Sequence, residues 1–189
     1  MRRASGERLA VHQLRIALSG IEPVIWRRLL VPGTLTLDRL HWVFQRAMGW
    51  GGRHLHEFLI DGRRYAEPDP EVVVSAVLPE RSVALRDVVP RENMGFVYVY
   101  DFGDDWRHGV LVEKILTAEK KLGMLVCLAG ERHCPPEDCG GVPGYVELLA
   151  AIRDPRHPEH RALRKSVGRQ FDPEAFDVAA VNRALRRGR

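Results

Sequence analysis

Apolar and polar residues alternate along residues 8–18. Leu14, Ile16 and Leu18 fall on one side and Gln13 and Arg15 on the other, the period of a strand with one buried face. A turn at Gly20-Ile21-Glu22-Pro23 leads into a second apolar run, residues 24–31, closed by Pro32-Gly33, so the two runs read as a hairpin. The period then lengthens. Leu37, Leu40, Phe44, Ala47 and Met48 recur at helical spacing, with Thr36 as N-cap, Asp38 in the first turn and Gly49 as the stop. Period two returns over residues 54–60, and Asp61-Gly62 turns the chain back through Tyr65. Residues 66–81 are expected to be irregular and 83–89 a short helix or turn. Residues 96–100 and 106–116 form a further expected hairpin around Asp101-Phe102-Gly103-Asp104. Residues 117–141 read as one long connection. Helices are expected over 145–152 and 158–167, and from an Asp177 cap to Leu185.

Strands and one helix come first, and helices follow. That segregation predicts an α+β fold: an antiparallel or mixed sheet of hairpins packed on one helix, with a helical C-terminal subdomain. The expected organisation is one domain over residues 8–187, preceded by a flexible basic tail at residues 1–7. A chain of 189 residues, 45% hydrophobic and 29% charged, is long and apolar enough for a substantial core.

The net charge of +4 and pI of about 9.2 change the picture only a little. Of 29 cationic residues, four are lysines (Lys114, Lys120, Lys121, Lys165) and the rest arginines. Arginine forks suit phosphates, but the charge is too diffuse for a dedicated DNA-binding stripe. The N-terminal residues lack the apolar stretch of a signal peptide, and no apolar run reaches membrane-spanning length. Three cysteines within 13 residues do not make a secreted disulfide framework. A cytoplasmic protein without a membrane partner is the expectation.

Four segments carry candidate chemistry. Asp101, Asp104, Asp105 and His108 crowd one hairpin tip; oxygen ligands with an imidazole suit zinc or manganese, although aspartates also serve as ordinary turn residues. His54 and His56 share one face if residues 54–60 are a strand throughout, with Glu57 opposite. Cys127, Cys134 and Cys139, spaced Cys-x6-Cys-x4-Cys with His133 beside the middle thiol, are a candidate structural zinc site, or simply small buried residues. Trp26, Arg27, Arg28, Trp42 and Trp50 combine aromatic faces with cations, as in base-stacking surfaces, or fill a core. No phosphate-binding glycine loop, nucleophile elbow or zinc-protease motif is present.

Taken in order, several blocks give the chain a resemblance to the plasmid pRiA4b ORF-3-like family over roughly residues 10–186. They are Ile25-Trp26-Arg27-Arg28 with Val31-Pro32, Leu40-His41, Ala47-Met48-Gly49-Trp50 and His54-Leu55-His56-Glu57-Phe58. The long run from Tyr100 to His108, Cys134-Pro135-Pro136-Glu137-Asp138-Cys139-Gly140-Gly141, Pro158-Glu159-His160 and Phe171-Asp172-Pro173-Glu174 complete them. The resemblance implies a compact α+β protein tied to plasmid or transposon functions, and it assigns no catalytic residues. The polar residues inside its blocks are His41, His54, Glu57, Asp101, Asp104, Asp105, His108, Glu137 and Asp138. The favoured expectation is a module binding nucleic acid or another protein. The alternative is a metal-dependent, hydrolase-like enzyme built on the His/Asp/Glu cluster.

Overall fold

Eight strands build one sheet in the computed structural model, which describes residues 8–68, 77–119, 125–168 and 170–187. The expected basic tail at residues 1–7 lies outside them. The elements are β1 (Arg8–Leu18), β2 (Trp26–Pro32), α1 (Leu37–Met48), β3 (His56–Ile60), β4 (Arg63–Ala66), β5 (Val77–Pro79) and α2 (Leu85–Val88). They continue with β6 (Gly95–Tyr100), β7 (Trp106–Glu119), β8 (Val126–Glu131), α3 (Gly141–Arg153), α4 (His160–Val167) and α5 (Val178–Arg186). The strand order is β5-β4-β3-β6-β7-β1-β2-β8. Every pairing is antiparallel except β4 with β5, so the fold is α+β with a mixed sheet.

The register explains which side chains are buried. Leu14 lies opposite Leu29 and Val112, Ile16 opposite Val110, Phe58 opposite Tyr98, and Tyr100 opposite Trp106. All of these are buried, because directly paired residues share a face. The helix α1 lays Leu37, Leu40, Val43, Phe44, Ala47 and Met48 on that face, with Phe44 edge-on to Tyr98 at 5.2 Å. Tyr145 and Leu148 of α3 and Leu185 of α5 join the same core, so the C-terminal helices complete it; α4 buries no residue. The opposite face carries Gln13, Arg15, Trp26, Arg28 and Leu111, none of them buried.

Two details differ from the sequence expectation and two helix ends agree with it. The connection over 117–141 contains β8, paired to β2. Its sequence, Val-Cys-Leu-Ala-Gly-Glu, has weak strand propensity, and pairing decides its conformation. Asn182 of α5 covers that edge, accepting from Cys127 N at 2.9 Å and donating to Cys127 O at 2.8 Å. Thr36 precedes α1 but makes no side-chain cap bond, whereas Asp177 caps α5 by accepting from Ala179 N and Ala180 N. Gly49 stops α1 in the left-handed region at φ 92°, as expected of a C-terminal glycine.

Candidate metal centre and adjoining cavity

Three segments far apart in sequence meet at one end of the sheet. The register of β3 against β6 puts His56 beside Tyr100, and Asp101 N donates to Leu55 O at 2.8 Å. The loop after β8 then docks on both. Trp50 Nε1 donates to Pro135 O at 2.8 Å, Gly51 N to Glu137 Oε2 at 3.1 Å, and Tyr100 Oη to Glu137 Oε1 at 2.6 Å. Burial and the Glu137 carboxylate push the Tyr100 phenol up to about 12, so it stays a donor. Gly140 N donates to Asp104 Oδ2 at 3.2 Å. Gly141, at φ +66°, sits so close to the hairpin tip that a Cβ would come 2.4 Å from Asp104 O; only glycine permits that approach.

This docking brings His54, Asp101 and Asp138 together. His54 Nε2 is 3.6 Å from Asp101 Oδ2 and 3.1 Å from Asp138 Oδ1, and one ligand atom from each residue lies within 4.8 Å of the others. The Asp138 contact is one of distance and not of direction: His54 Nε2 makes no hydrogen bond of proper geometry. Ligands about 2.1 Å from a tetrahedral zinc lie roughly 3.4 Å from one another, close to the two separations found. Asp101 is held in place by its other oxygen, Oδ1, which accepts from Gly103 N at 3.0 Å and Asp104 N at 3.3 Å.

The remaining candidates go elsewhere. The strand begins at His56, so His54 lies in the preceding loop and the two imidazoles do not address one point. His56 Nε2 pairs with Glu80 Oε2 at 2.9 Å, and its ring stacks on His41. Glu57 is bound by Arg64 at 2.7 Å, and Asp105 by Arg107 at 2.9 Å. Asp104 serves the loop backbone, as described. His108, expected in the cluster, is fully buried on the core face between Tyr98 and Trp50; period two along β7 turns it under α1, and burial lowers it to about 4.

The cysteine trio does not converge either. Among the described residues, the group of three or more His, Cys, Asp or Glu ligand atoms is His54, Asp101 and Asp138. Cys127 lies in β8 and bonds Ala129 O, while Cys134 faces Met48 Sδ at 3.6 Å. Burial pushes the Cys127 thiol up, Cys134 to about 11 and Cys139 to about 12, the last helped by Asp104 and Asp138. All three are therefore thiols at neutral pH in the absence of an ion. Of the aromatic and basic set, Trp50 is in the core. Arg27 is buried, donating to the carbonyls of Trp26, Ala47, Glu131 and Arg132. Trp26 lies on the open sheet face, with Arg15 and Arg28 5.4 and 5.2 Å from its ring.

A cavity of about 510 Å3 opens beside the trio, sharing His54 with it. Behind His41, which lines it, runs a buried relay. Gln45 Nε2 donates to Tyr98 Oη at 2.9 Å, and Tyr98 Oη donates in turn to His41 Nδ1 at 2.7 Å, a proton placement inferred from the network. Burial and the neighbouring His56 lower His41 to about 3, so it is a neutral ring. Sequence reasoning did not assign Asp138, Glu80 or Asp38 to a site. For Asp138 the signal was its place in the Cys134–Gly141 block, whose docking partner no spacing reveals.

The fold and site thus define an α+β protein in which one mixed sheet carries a His/Asp/Asp cluster and a side cavity at its end. The chain belongs to the plasmid pRiA4b ORF-3-like protein family, whose sequence model matches residues 10–180. It is 36% identical to the uncharacterised protein y4hQ of Sinorhizobium fredii over 177 residues, 93% of this chain and 91% of that protein. The crystal structure of MM3350, a protein of unknown function from Methanosarcina mazei Go1, superposes with a TM-score of 0.81 at 35% identity. That match covers 90% of this chain and 97% of the other. No helix among the described residues is long and apolar enough to cross a membrane.

Proposed function

We propose that the protein is a divalent-cation-dependent, hydrolase-like protein that holds zinc or manganese through His54, Asp101 and Asp138 and receives its substrate in the adjoining cavity. The observation that carries this reading is the meeting of three ligand atoms from three separate segments within 4.8 Å. Two carboxylates and one imidazole are a donor set for such ions. A bound ion would lower the pKa of a water toward neutrality. The His56–Glu80 pair, 2.9 Å apart in the cavity wall, would offer an acid–base group to a substrate held there. Equilibrium dialysis against zinc and manganese, followed by elemental analysis, tests the centre. One ion per chain is expected, lost in His54→Ala and Asp138→Asn and kept when all three cysteines are serine. Equal metal content in wild type and His54→Ala overturns it.

A binding module for nucleic acid or protein is the second reading, and one observation favours it: on the sheet face opposite the helices the Trp26 ring lies within 5.4 Å of the Arg15 guanidinium and 5.2 Å of that of Arg28, an aromatic ring beside cations, although Arg28 also pairs with Glu113. Phosphate-driven affinity for DNA or RNA must fall steeply as salt rises; a flat response removes nucleic acid as the partner. Its three free cysteines fit the cytoplasmic location we assign to the protein.

A further inference from the structure

The cavity beside the metal trio has a composition of its own. The carboxylates in its wall are Asp38, Glu57, Glu67 and Glu80. Glu57 is neutralised by Arg64, Glu67 by Arg81, and Glu80 faces His56. Asp38 is different: its Oδ1 is buried and accepts no hydrogen bond, and it enters no ion pair among the described residues. Oδ1 is closed to a ligand as it is to water, but Asp38 lines the cavity with a negative charge that no described residue pairs, and a cation held in the cavity supplies the missing partner. One turn further along α1, His41 is 4% exposed and lines the same cavity, and no described residue hydrogen-bonds its Nε2. As a neutral ring it brings no positive charge to oppose a cation.

The mouth of the cavity is aromatic. Trp42, next to His41, is 44% exposed, and Phe102, next to the metal-site Asp101, is 49% exposed; both line the cavity. Large half-exposed rings around a concave wall are the usual make-up of a small-molecule site; the Arg46 guanidinium already lies 6.0 Å from the Trp42 ring, so the rings offer apolar surface to the body of a ligand.

We propose that this cavity binds a small organic cation, a protonated amine on an apolar or aromatic body, with the ammonium at Asp38 and the body against Trp42 and Phe102. The proposal deepens the hydrolase-like reading by naming the ligand class. It rests on that reading only in placing the ligand next to His54; Asp38 and Trp42 act whether or not an ion is held.

The test uses full-length protein and isothermal titration with three probes of one shape: benzylamine, benzyl alcohol and benzoate. Benzylamine is expected to bind at least about tenfold more tightly than benzyl alcohol, a difference of ~1.4 kcal/mol, and benzoate not to bind. Asp38→Asn is expected to remove the preference for the amine and Trp42→Ala to weaken all binding. Equal affinity for amine and alcohol, tighter binding of benzoate, or failure of the amine to bind at millimolar concentration overturns the proposal. Should Asp38→Asn not fold, the probe series on wild type and Trp42→Ala decides alone. Amine binding that survives while metal binding fails in the dialysis experiment separates this inference from the metal reading.

Discussion

His56 stacks on His41 with ring centroids 3.5 Å apart and planes 12° from parallel. Two imidazolium rings would repel at that distance. The stack therefore requires at least one neutral ring, and His41, held down to about 3, is that ring.

Acid should destabilise the protein through buried histidines. His41 and His108 have folded values of about 3 and about 4 against an ordinary 6.5. Between those limits the unfolded chain binds more protons, so stability is complete above pH 6.5 and is lost as pH falls below it. Each group contributes a slope of about 1.4 kcal/mol per pH unit in that window. Urea denaturation of wild type and His108→Gln at pH 7 and pH 5 is expected to show a smaller loss in the variant. An identical loss would mean that His108 is not kept neutral by burial.

Arg27→Met should be among the most damaging substitutions. Arg27 is 3% exposed, and its guanidinium donates to four backbone carbonyls that join the end of α1 to β2 and the end of β8. Methionine fills the space but leaves those acceptors unsatisfied, for a loss of about 3 kcal/mol or more. Chemical denaturation measures it, and a change below about 1 kcal/mol contradicts the role.

Asp138→Asn should separate binding from folding. The side chain is 65% exposed, and asparagine tolerates the left-handed backbone at φ 58°. Stability is expected to change by less than about 0.5 kcal/mol while metal binding is lost. A parallel loss of both in thermal melts and dialysis would make the residue structural.

Gly141→Ala should undock the loop over 134–141. The added Cβ meets Asp104 O at a backbone angle unsuited to alanine, costing about 1–3 kcal/mol. Because Asp138 travels with that loop, metal affinity should fall with stability in the same variant. Retained affinity would show that the trio does not depend on docking.

Cys134 and Cys139, raised to about 11 and about 12, are expected to react slowly with a disulfide reagent at pH 8 in the native state and rapidly in denaturant. Fast native labelling of either thiol would contradict their assigned environments.

Local pattern alone determined much of this protein. Period two marked most of the long strands, period 3.6 marked α1, Gly49 and Asp177 marked helix ends, and the chain order of strands and helices marked the α+β class. Those features depend on neighbours a few residues apart, whose geometry the backbone dictates. The residue blocks of the family were equally legible, since they are strings. Only the tertiary structure decided which polar residues work together. His54 left the strand that would have aligned it with His56, His108 turned inward by one step of the pleat, and Asp138 arrived from a loop 84 residues away. The strand β8, too weak in propensity to declare itself, exists because β2 offers it an edge. Such outcomes follow from pairing register and loop docking, and contacts of that range leave no period in the sequence.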